Sequence, residues 1–154
     1  MSEISVAKTY YEPMHTAEHI LNQTMLQLHT KDRSFTTHIE RKKSKVDYYF
    51  DRDLTEDEKI TIESKVNEVI NQHLDVKEKF IHIDEAKDKF NLERLPEDAG
   101  DQIRIIQVGD YDDCPCIGQH VSNTSEIGEF KIVSSSYNEG VLRMRFKLLP
   151  KESK

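Results

Sequence analysis

The stretch PMHTAEHILNQTMLQL, residues 13–28, carries the clearest structural pattern of this chain. Apolar and small side chains recur there every three or four residues, the spacing of one face of an α-helix: Ala17, Ile20, Leu21, Thr24, Met25 and Leu28. Pro13 suits the first turn of a helix, where its missing N–H costs little. We therefore predict a helix over residues 13–28. His15 and His19 lie one turn apart on it, so they share a face and can bind one ion.

A second pair of metal-binding residue types follows in Cys116-Ile117-Gly118-Gln119-His120. Cysteine thiolate and neutral imidazole are donors that zinc prefers, and zinc sites take four ligands. If the fold brings the two motifs together, they form a site of His15, His19, Cys116 and His120. Such a site in a small domain suggests hydrolytic chemistry. Cys114 offers an alternative thiolate, but Cys116 repeats the four-residue spacing of the first motif and is favoured.

The rest of the chain alternates between strand and helix patterns. Strands are predicted over residues 34–39, 46–50, 79–83, 103–108, 130–135 and 141–148. Thr55 and Glu58 form a capping box that begins a second helix, and Asp84 is expected to cap a short third one. Residues 91–100 and 109–115 are expected to be loops. This order predicts an α+β fold, with a mostly antiparallel sheet, helices packed on one face and a single compact domain.

The charge of the chain limits its partners. A formal net charge of -7 argues against sequence-blind binding to nucleic acid, which needs a basic field. Two local basic clusters remain: Arg41, Lys42, Lys43 and Lys45, and Arg143, Arg145, Lys147 and Lys151. The first cluster is either a solvated hairpin tip or a set of phosphate contacts.

The two cysteines, Cys114 and Cys116, are too close in sequence for an unstrained disulfide. Reduced thiols, and hence a cytoplasmic protein, are expected. No secretory signal is visible, and no apolar run approaches the roughly 20 residues of a membrane helix, so a membrane is not an expected partner.

The first motif also fits a different class of enzyme. His-x-x-Glu-His, here residues 15–19, is the signature of inverted zinc peptidases, in which the glutamate, here Glu18, is the general base. Those enzymes take a further acidic ligand from a neighbouring helix. A second Cys/His pair is not expected in them.

Together the motifs resemble the editing domain shared by alanyl- and threonyl-tRNA synthetases, above all its short free-standing form, the AlaX proteins. That family has His-x-x-x-His near the domain start and Cys-x-x-x-His about a hundred residues on, matched here by residues 15–19 and 116–120. Thr124-Ser125-Glu126-Ile127-Gly128 matches a Thr-x-Glu-Ile-Gly segment. A final hairpin is matched by Gly140-Val141-Leu142-Arg143-Met144-Arg145-Phe146. The resemblance runs from about residue 13 to 149.

The resemblance implies that residues 1–154 form one editing domain that deacylates mischarged aminoacyl-tRNA at a zinc site, with Ser-tRNA(Ala) or Gly-tRNA(Ala) as substrate. It implies contacts with the tRNA acceptor end, for which Arg41, Lys42 and Lys43 are candidates. Thr37 matches by position a threonine that contacts the seryl hydroxyl in short AlaX proteins.

The role of Glu18, the edited amino acid and the catalytic activity itself each have an alternative interpretation. Glu18 is a candidate proton acceptor if its side chain points into the site; otherwise it is a solvated helix residue. Ile117 and Gln119 replace the glycine and threonine usual in alanyl members, which leaves the edited amino acid open. An inactive relative that binds zinc or tRNA is the alternative to an enzyme.

Overall fold

Helices and two antiparallel sheets make up the part of the chain that this computed structural model describes, residues 12–40, 42–90, 101–116 and 118–149. In chain order the elements are α1 Glu12–Leu28, β1 Thr36–His38, β2 Ser44–Tyr49, α2 Glu56–Ile70, β3 Val76–His82, α3 Ile83–Lys89, β4 Gln102–Val108, β5 Asp112–Pro115, β6 Glu129–Asn138 and β7 Val141–Leu149. A 3-10 turn, Thr124–Glu126, precedes β6. The predicted α+β class is confirmed.

The larger sheet has the strand order β1-β2-β7-β6, with every neighbouring pair antiparallel. Along β7 the side chains alternate between the two faces, because successive residues of a strand point in opposite directions. Leu142, Met144 and Phe146 are buried on the inner face. They join one hydrophobic cluster with residues of α1 and α2, so both helices cover this face of the sheet.

The smaller sheet has the order β3-β4-β5, and its last strand ends directly before Cys116. Ile103 and Ile105 of β4 pack with Ala86 of α3 in a second hydrophobic cluster. The prediction of a loop over residues 109–115 is wrong in its second half, because Asp112–Pro115 pairs with β4 as strand β5. This strand lacks apolar alternation, so its pairing depends on the ladder that β4 offers rather than on its own pattern.

The N-caps of α2 and α3 test what the local sequence predicted about the helix starts. The predicted capping box is present, since Thr55 Oγ1 accepts from the Glu58 N–H and the Glu58 carboxylate accepts from the Thr55 N–H. The short helix α3 begins two residues earlier than expected. His82 is its N-cap, with Nδ1 accepting from the backbone N–H of Asp84, so the prediction that Asp84 is the cap is wrong.

Several expectations lie outside the described residues: the loop over residues 91–100, and the side chains of Arg41 and Ile117. Within the described ranges, no helix combines the length and apolar character that a membrane crossing requires.

Candidate metal centre

Both predicted motifs meet at one point of the fold. One donor atom from each of His15, His19, Cys116 and His120 lies within 4.8 Å of every other donor in the set. The Cys116 Sγ is 3.7 Å from Nε2 of His15 and 3.4 Å from Nε2 of His120. The ring centroids of the three histidines are 4.5 to 5.3 Å apart. The sequence motifs, a hundred positions apart, therefore form a single cluster that can hold a metal ion.

Helix α1 supplies one half of this cluster through its regular geometry. His15 and His19 are one turn apart, and Met14, Ala17 and Leu21 of the same helix are fully buried against the sheet. Packing of that apolar stripe fixes the rotation of the helix, and so aims both imidazoles at the segment after β5.

The other half lies on an irregular segment that Arg104 of β4 holds in place. Its Nη1 donates to the backbone carbonyls of Cys116, at 3.1 Å, and Gly118, at 2.6 Å. In return, the backbone N–H of Cys116 donates to the carbonyl of Arg104 at 3.2 Å. Sequence reasoning missed this arginine, because nothing in a strand pattern marks a side chain that will bind a distant loop.

Thr16 connects the two halves and orients His120. Its hydroxyl donates to the Glu12 carbonyl at 3.1 Å, lies 3.2 Å from Nδ1 of His120, and accepts from the Val121 N–H at 3.2 Å. A hydroxyl has one hydrogen, so when it donates to Glu12 it accepts from Nδ1–H of His120. In that tautomer the lone pair is on Nε2, the nitrogen that faces Cys116.

The electrostatics of two members of the cluster, Cys116 and His120, favour the protonation states that a metal requires. Burial raises the pKa of the Cys116 thiol, but hydrogen bonds with His120, His15 and His19 outweigh it and lower that pKa to about 3. The Gly118 N–H also points at this sulfur, at 3.3 Å. Burial and the other two imidazoles lower the pKa of His120 to about 4. A thiolate and a neutral imidazole are the forms that ligate metals.

The spacing fits a tetrahedral ion. Donors held at about 2.1 and 2.3 Å from zinc at the tetrahedral angle are about 3.6 Å apart, close to the 3.4 and 3.7 Å found between sulfur and nitrogen. The residues present therefore fit a metal ion of this kind.

A carboxylate that sequence reasoning missed lies behind His19. Oδ2 of Asp112 is 3.4 Å from Nδ1 of His19, which is ion-pair distance, although the N–H is not aligned for a hydrogen bond. The Asp112 side chain is fully buried and binds the guanidinium of Arg33 and Nε2 of Gln23, the latter at 2.9 Å. Burial raises the pKa of Asp112, but His19 and Arg33 outweigh it, so this pKa lies below its usual value. A carboxylate next to a ligating imidazole fixes the orientation of the ring.

A second buried carboxylate, Glu18, lies beside His15. Its Oε1 is 3.5 Å from Nε2 of His15, and the residue is 4% exposed. Its Oε2 accepts from Asn22 Nδ2 at 3.0 Å and from the hydroxyls of Thr37 at 3.2 Å and Ser34 at 3.4 Å. The alternative of a solvated helix residue is therefore wrong for Glu18. One oxygen of this carboxylate faces the cluster, while neutral donors hold the other.

Comparison with known proteins relates this chain to tRNA synthetases. The model of the Threonyl and Alanyl tRNA synthetase second additional domain matches residues 103–145. The alanine–tRNA ligases of Fervidobacterium nodosum and Halalkalibacterium halodurans are 37% and 38% identical over 132 and 125 residues, or 84% and 79% of this chain. That of Clostridioides difficile is 33% identical over 123 residues, or 78% of the chain. The chain is related to the editing domain of alanyl- and threonyl-tRNA synthetases. It spans 14% or 15% of the length of each of these ligases.

In this editing-domain relative, Thr37 lies on β1 close to the cluster, where its hydroxyl donates to Glu18. Lys42 and Lys43 are exposed in the turn that follows β1. Gln119 is also exposed. The alternative thiolate, Cys114, lies on β5 with its Sγ 3.5 Å from the carbonyl of Pro115, and it is not part of the four-donor group.

The Thr-x-Glu-Ile-Gly segment of this editing-domain relative serves the fold. Thr124 is fully buried, and its hydroxyl donates to the carbonyl of Ile70 and accepts from the N–H of Leu74, both at 2.9 Å. It thereby fastens the end of α2 to the start of the smaller sheet. Gly128 follows with φ +92°, a backbone conformation that residues other than glycine rarely adopt.

Proposed function

We propose that this chain hydrolyses the ester bond of mischarged aminoacyl-tRNA, with serine or glycine on alanine tRNA as substrate, at a zinc site of His15, His19, Cys116 and His120. The observation that carries the proposal is the convergence of these four donors within 4.8 Å, in a chain related to the editing domain. The ligand set of an inverted zinc peptidase would need an acidic ligand, and here Cys116 and His120 complete the group instead.

The chemical reason for such an activity is a limit on selective binding. Serine and glycine differ from alanine by one hydroxyl and one methyl group, and a binding pocket rejects such close analogues only about 100-fold. A second site that hydrolyses the wrong ester corrects the remaining errors.

The roles of the residues follow from their positions. A zinc ion held by these four donors would anchor the aminoacyl end, and it would polarise the ester carbonyl once one ligand is displaced or its coordination expands. Oε1 of Glu18 accepts a proton from the attacking water, and returns it to the ribose oxygen that leaves when the carbon–oxygen bond breaks. The products are the free amino acid and tRNA. Thr37, whose hydroxyl lies 3.2 Å from Glu18, would bind the hydroxyl of a seryl group.

We infer the RNA contacts, the domain extent and the cellular compartment from the same relationship. Lys42 and Lys43, together with Arg41, would contact phosphates of the acceptor end. Residues 1–154 would form one editing domain, and the hydrophobic cluster that runs from Met14 to Phe146 supports this extent. The activity is placed in the cytoplasm, where reduced thiols persist.

The test is a deacylation panel with a metal assay. Purified protein is analysed for zinc and given Ser-tRNA(Ala), Gly-tRNA(Ala) and Ser-tRNA(Thr), and the released amino acid is counted. We expect about one zinc per chain and release from at least one alanine tRNA. Stable binding of zinc and tRNA with no release from any substrate would instead identify an inactive relative.

His19→Ala is the matching variant, because it removes a buried donor from the cluster. It should lose both zinc and activity while keeping the circular dichroism spectrum of a folded domain. His29→Ala removes an imidazole outside the cluster and should keep both. Full activity of His19→Ala would refute the site.

A further inference from the structure

The face of the larger sheet that points away from the helices carries a cationic patch. On β7, Arg143, Arg145 and Lys147 alternate with the three buried apolar residues and so lie on the outer face. Lys45 of β2 lies directly opposite Arg145, and Lys131 of β6 lies directly opposite Lys147. The chain has a net charge of -7, yet it places these cations side by side.

Four of the five cations of this patch form no ion pair with a carboxylate in the part of the chain that the structure describes. Asp47 neutralises Arg143 through hydrogen bonds of 2.8 and 3.0 Å. No carboxylate of the described residues forms an ion pair with the other four cations, Lys45, Lys131, Arg145 and Lys147. Like charges directly opposite on neighbouring strands destabilise a sheet. The arrangement therefore costs stability, and an anionic ligand on this face would offset that cost.

One of the two helices that cover the opposite face of this sheet is acidic. Helix α2, which covers the inner face, carries five acidic side chains against two lysines. An RNA would therefore be repelled from this helix and attracted to the open sheet face.

Only the edge strand β1 lies between the outer face of the sheet and the metal cluster. On β1, Thr37 points inward and donates to Glu18, whereas the next residue, His38, lies on the outer face opposite Lys45. β1 is the edge strand, and the four strands span only about 14 Å. An RNA whose 3′ end reaches the cluster can cross this edge and lie along the outer face.

We propose that the outer face of the larger sheet, with Lys45, Lys131, Arg145 and Lys147, is the docking surface for the phosphate backbone of the RNA whose 3′ end enters the metal cluster. The inference rests on the proposed function. It adds a surface on the far side of the sheet, next to Lys42 and Lys43, which directly precede β2.

The test compares two triple variants with equal charge change. Lys131→Gln/Arg145→Gln/Lys147→Gln removes three cations of the patch. Lys77→Gln/Lys79→Gln/Lys87→Gln removes three exposed lysines from β3 and α3. Binding of uncharged alanine tRNA is measured over a range of salt concentrations, and KM and kcat are measured with Ser-tRNA(Ala). The single variants Lys131→Gln and Lys147→Gln repeat the measurements with the smallest disturbance of the strands.

The patch variant should bind tRNA about 10-fold or more weakly and lose about two to three units of the slope of log K against log salt. It should raise KM for Ser-tRNA(Ala) by a similar factor, with a smaller change in kcat. The single variants should show intermediate losses, and the control should stay within about twofold of the parent. Equal behaviour of patch and control variants would overturn the docking surface, as would a patch variant that changes only self-association.

The outcomes also separate the two proposals. If the parent releases serine and the patch variant keeps the KM of the parent, the docking surface fails and the proposed function stands. If no substrate is hydrolysed but the patch variant alone loses tRNA binding, the proposed function fails and the docking surface stands.

Discussion

Glu18 and Asp112 are two buried carboxylates, each within 3.5 Å of an imidazole of the cluster, yet their surroundings differ. Asp112 binds the guanidinium of Arg33, a full positive charge, and its pKa is lowered. The contacts of Oε2 of Glu18 are with neutral amide and hydroxyl donors, and its Oε1 faces His15. The carboxylate of Asp112 is thus held as an anion by Arg33, whereas one oxygen of the Glu18 carboxylate faces the cluster. We infer that Asp112 positions a ligand, whereas Glu18 takes part in proton transfer.

The largest expected effect comes from Glu18→Gln, which keeps the shape of the side chain and removes its basicity. If Glu18 is the proton acceptor, kcat for Ser-tRNA(Ala) falls by about 100- to 10,000-fold, the usual contribution of general acid–base catalysis. Zinc content and tRNA binding should not change. If Glu18→Gln instead loses zinc and keeps its kcat when zinc is restored, Glu18 positions His15. Glu18 and Asp112 would then have the same role.

The next largest effect is expected from Asp112→Asn. Replacement of a carboxylate that supports a ligating histidine lowers metal affinity by about 10- to 100-fold. At saturating zinc, kcat should recover, unlike that of Glu18→Gln. Competition with a chromogenic chelator measures the affinity.

Arg33→Gln serves as the control for that experiment. It removes the cation from the same buried pair but keeps the carboxylate next to His19, so it should lower stability more than it lowers zinc affinity. If both variants weaken zinc binding equally, Asp112 acts through the fold rather than on His19.

A smaller effect is expected for Thr37→Val, which exchanges a hydroxyl for a methyl group at nearly constant volume. One hydrogen bond to a seryl group is worth about 1 kcal/mol, or roughly fivefold in kcat/KM. The loss should be confined to Ser-tRNA(Ala) and spare Gly-tRNA(Ala), since glycine has no hydroxyl. Thr37→Ser keeps the hydroxyl and should keep the preference; equal losses on both substrates would show that Thr37 acts only through Glu18.

The smallest effect concerns the His19–Asp112 pair, which should make the stability of the metal-free protein depend on pH. Burial lowers the pKa of His19, but Asp112, Cys114 and Cys116 outweigh it, so this pKa is well above 6.5. The stabilisation from charged His19 is therefore complete below about pH 6.5 and is lost as pH rises through the raised pKa. That from Asp112 is present above about pH 4 and is lost as pH falls through its lowered pKa.

In chelator-treated protein the lowered pKa values of Cys116 and His120 add stability as pH rises, which opposes the loss from His19. The contribution of the His19–Asp112 pair is therefore read from the difference in stability between the parent and Asp112→Asn. Asp112→Asn should cost on the order of 1 kcal/mol more between about pH 4 and 6.5 than above the raised pKa of His19. Urea unfolding of both proteins across pH measures this difference, and a cost that does not change from pH 6 to 9 would contradict the His19–Asp112 pairing.

Sequence reasoning predicted the site and the fold to different extents. His15 and His19 were predictable because helical spacing alone puts them on one face. Asp112 was not, since Asp110 and Asp113 have the same chemistry nearby, and only the pairing of β5 with β4 selects Asp112 to face His19. Arg104 was missed for the same reason: its role depends on a loop more than ten residues away.

Local sequence patterns were enough to predict the α+β class, the amphipathic helix α1 and the four candidate donors, because these follow from periodicity and from side-chain chemistry. Long-range packing brings the donors together, turns Glu18 inward, places Arg33 against Asp112 and gathers four cations on one open sheet face. Those features join residues far apart in the chain. Their geometry depends on strand register and helix packing, which no short stretch of sequence specifies.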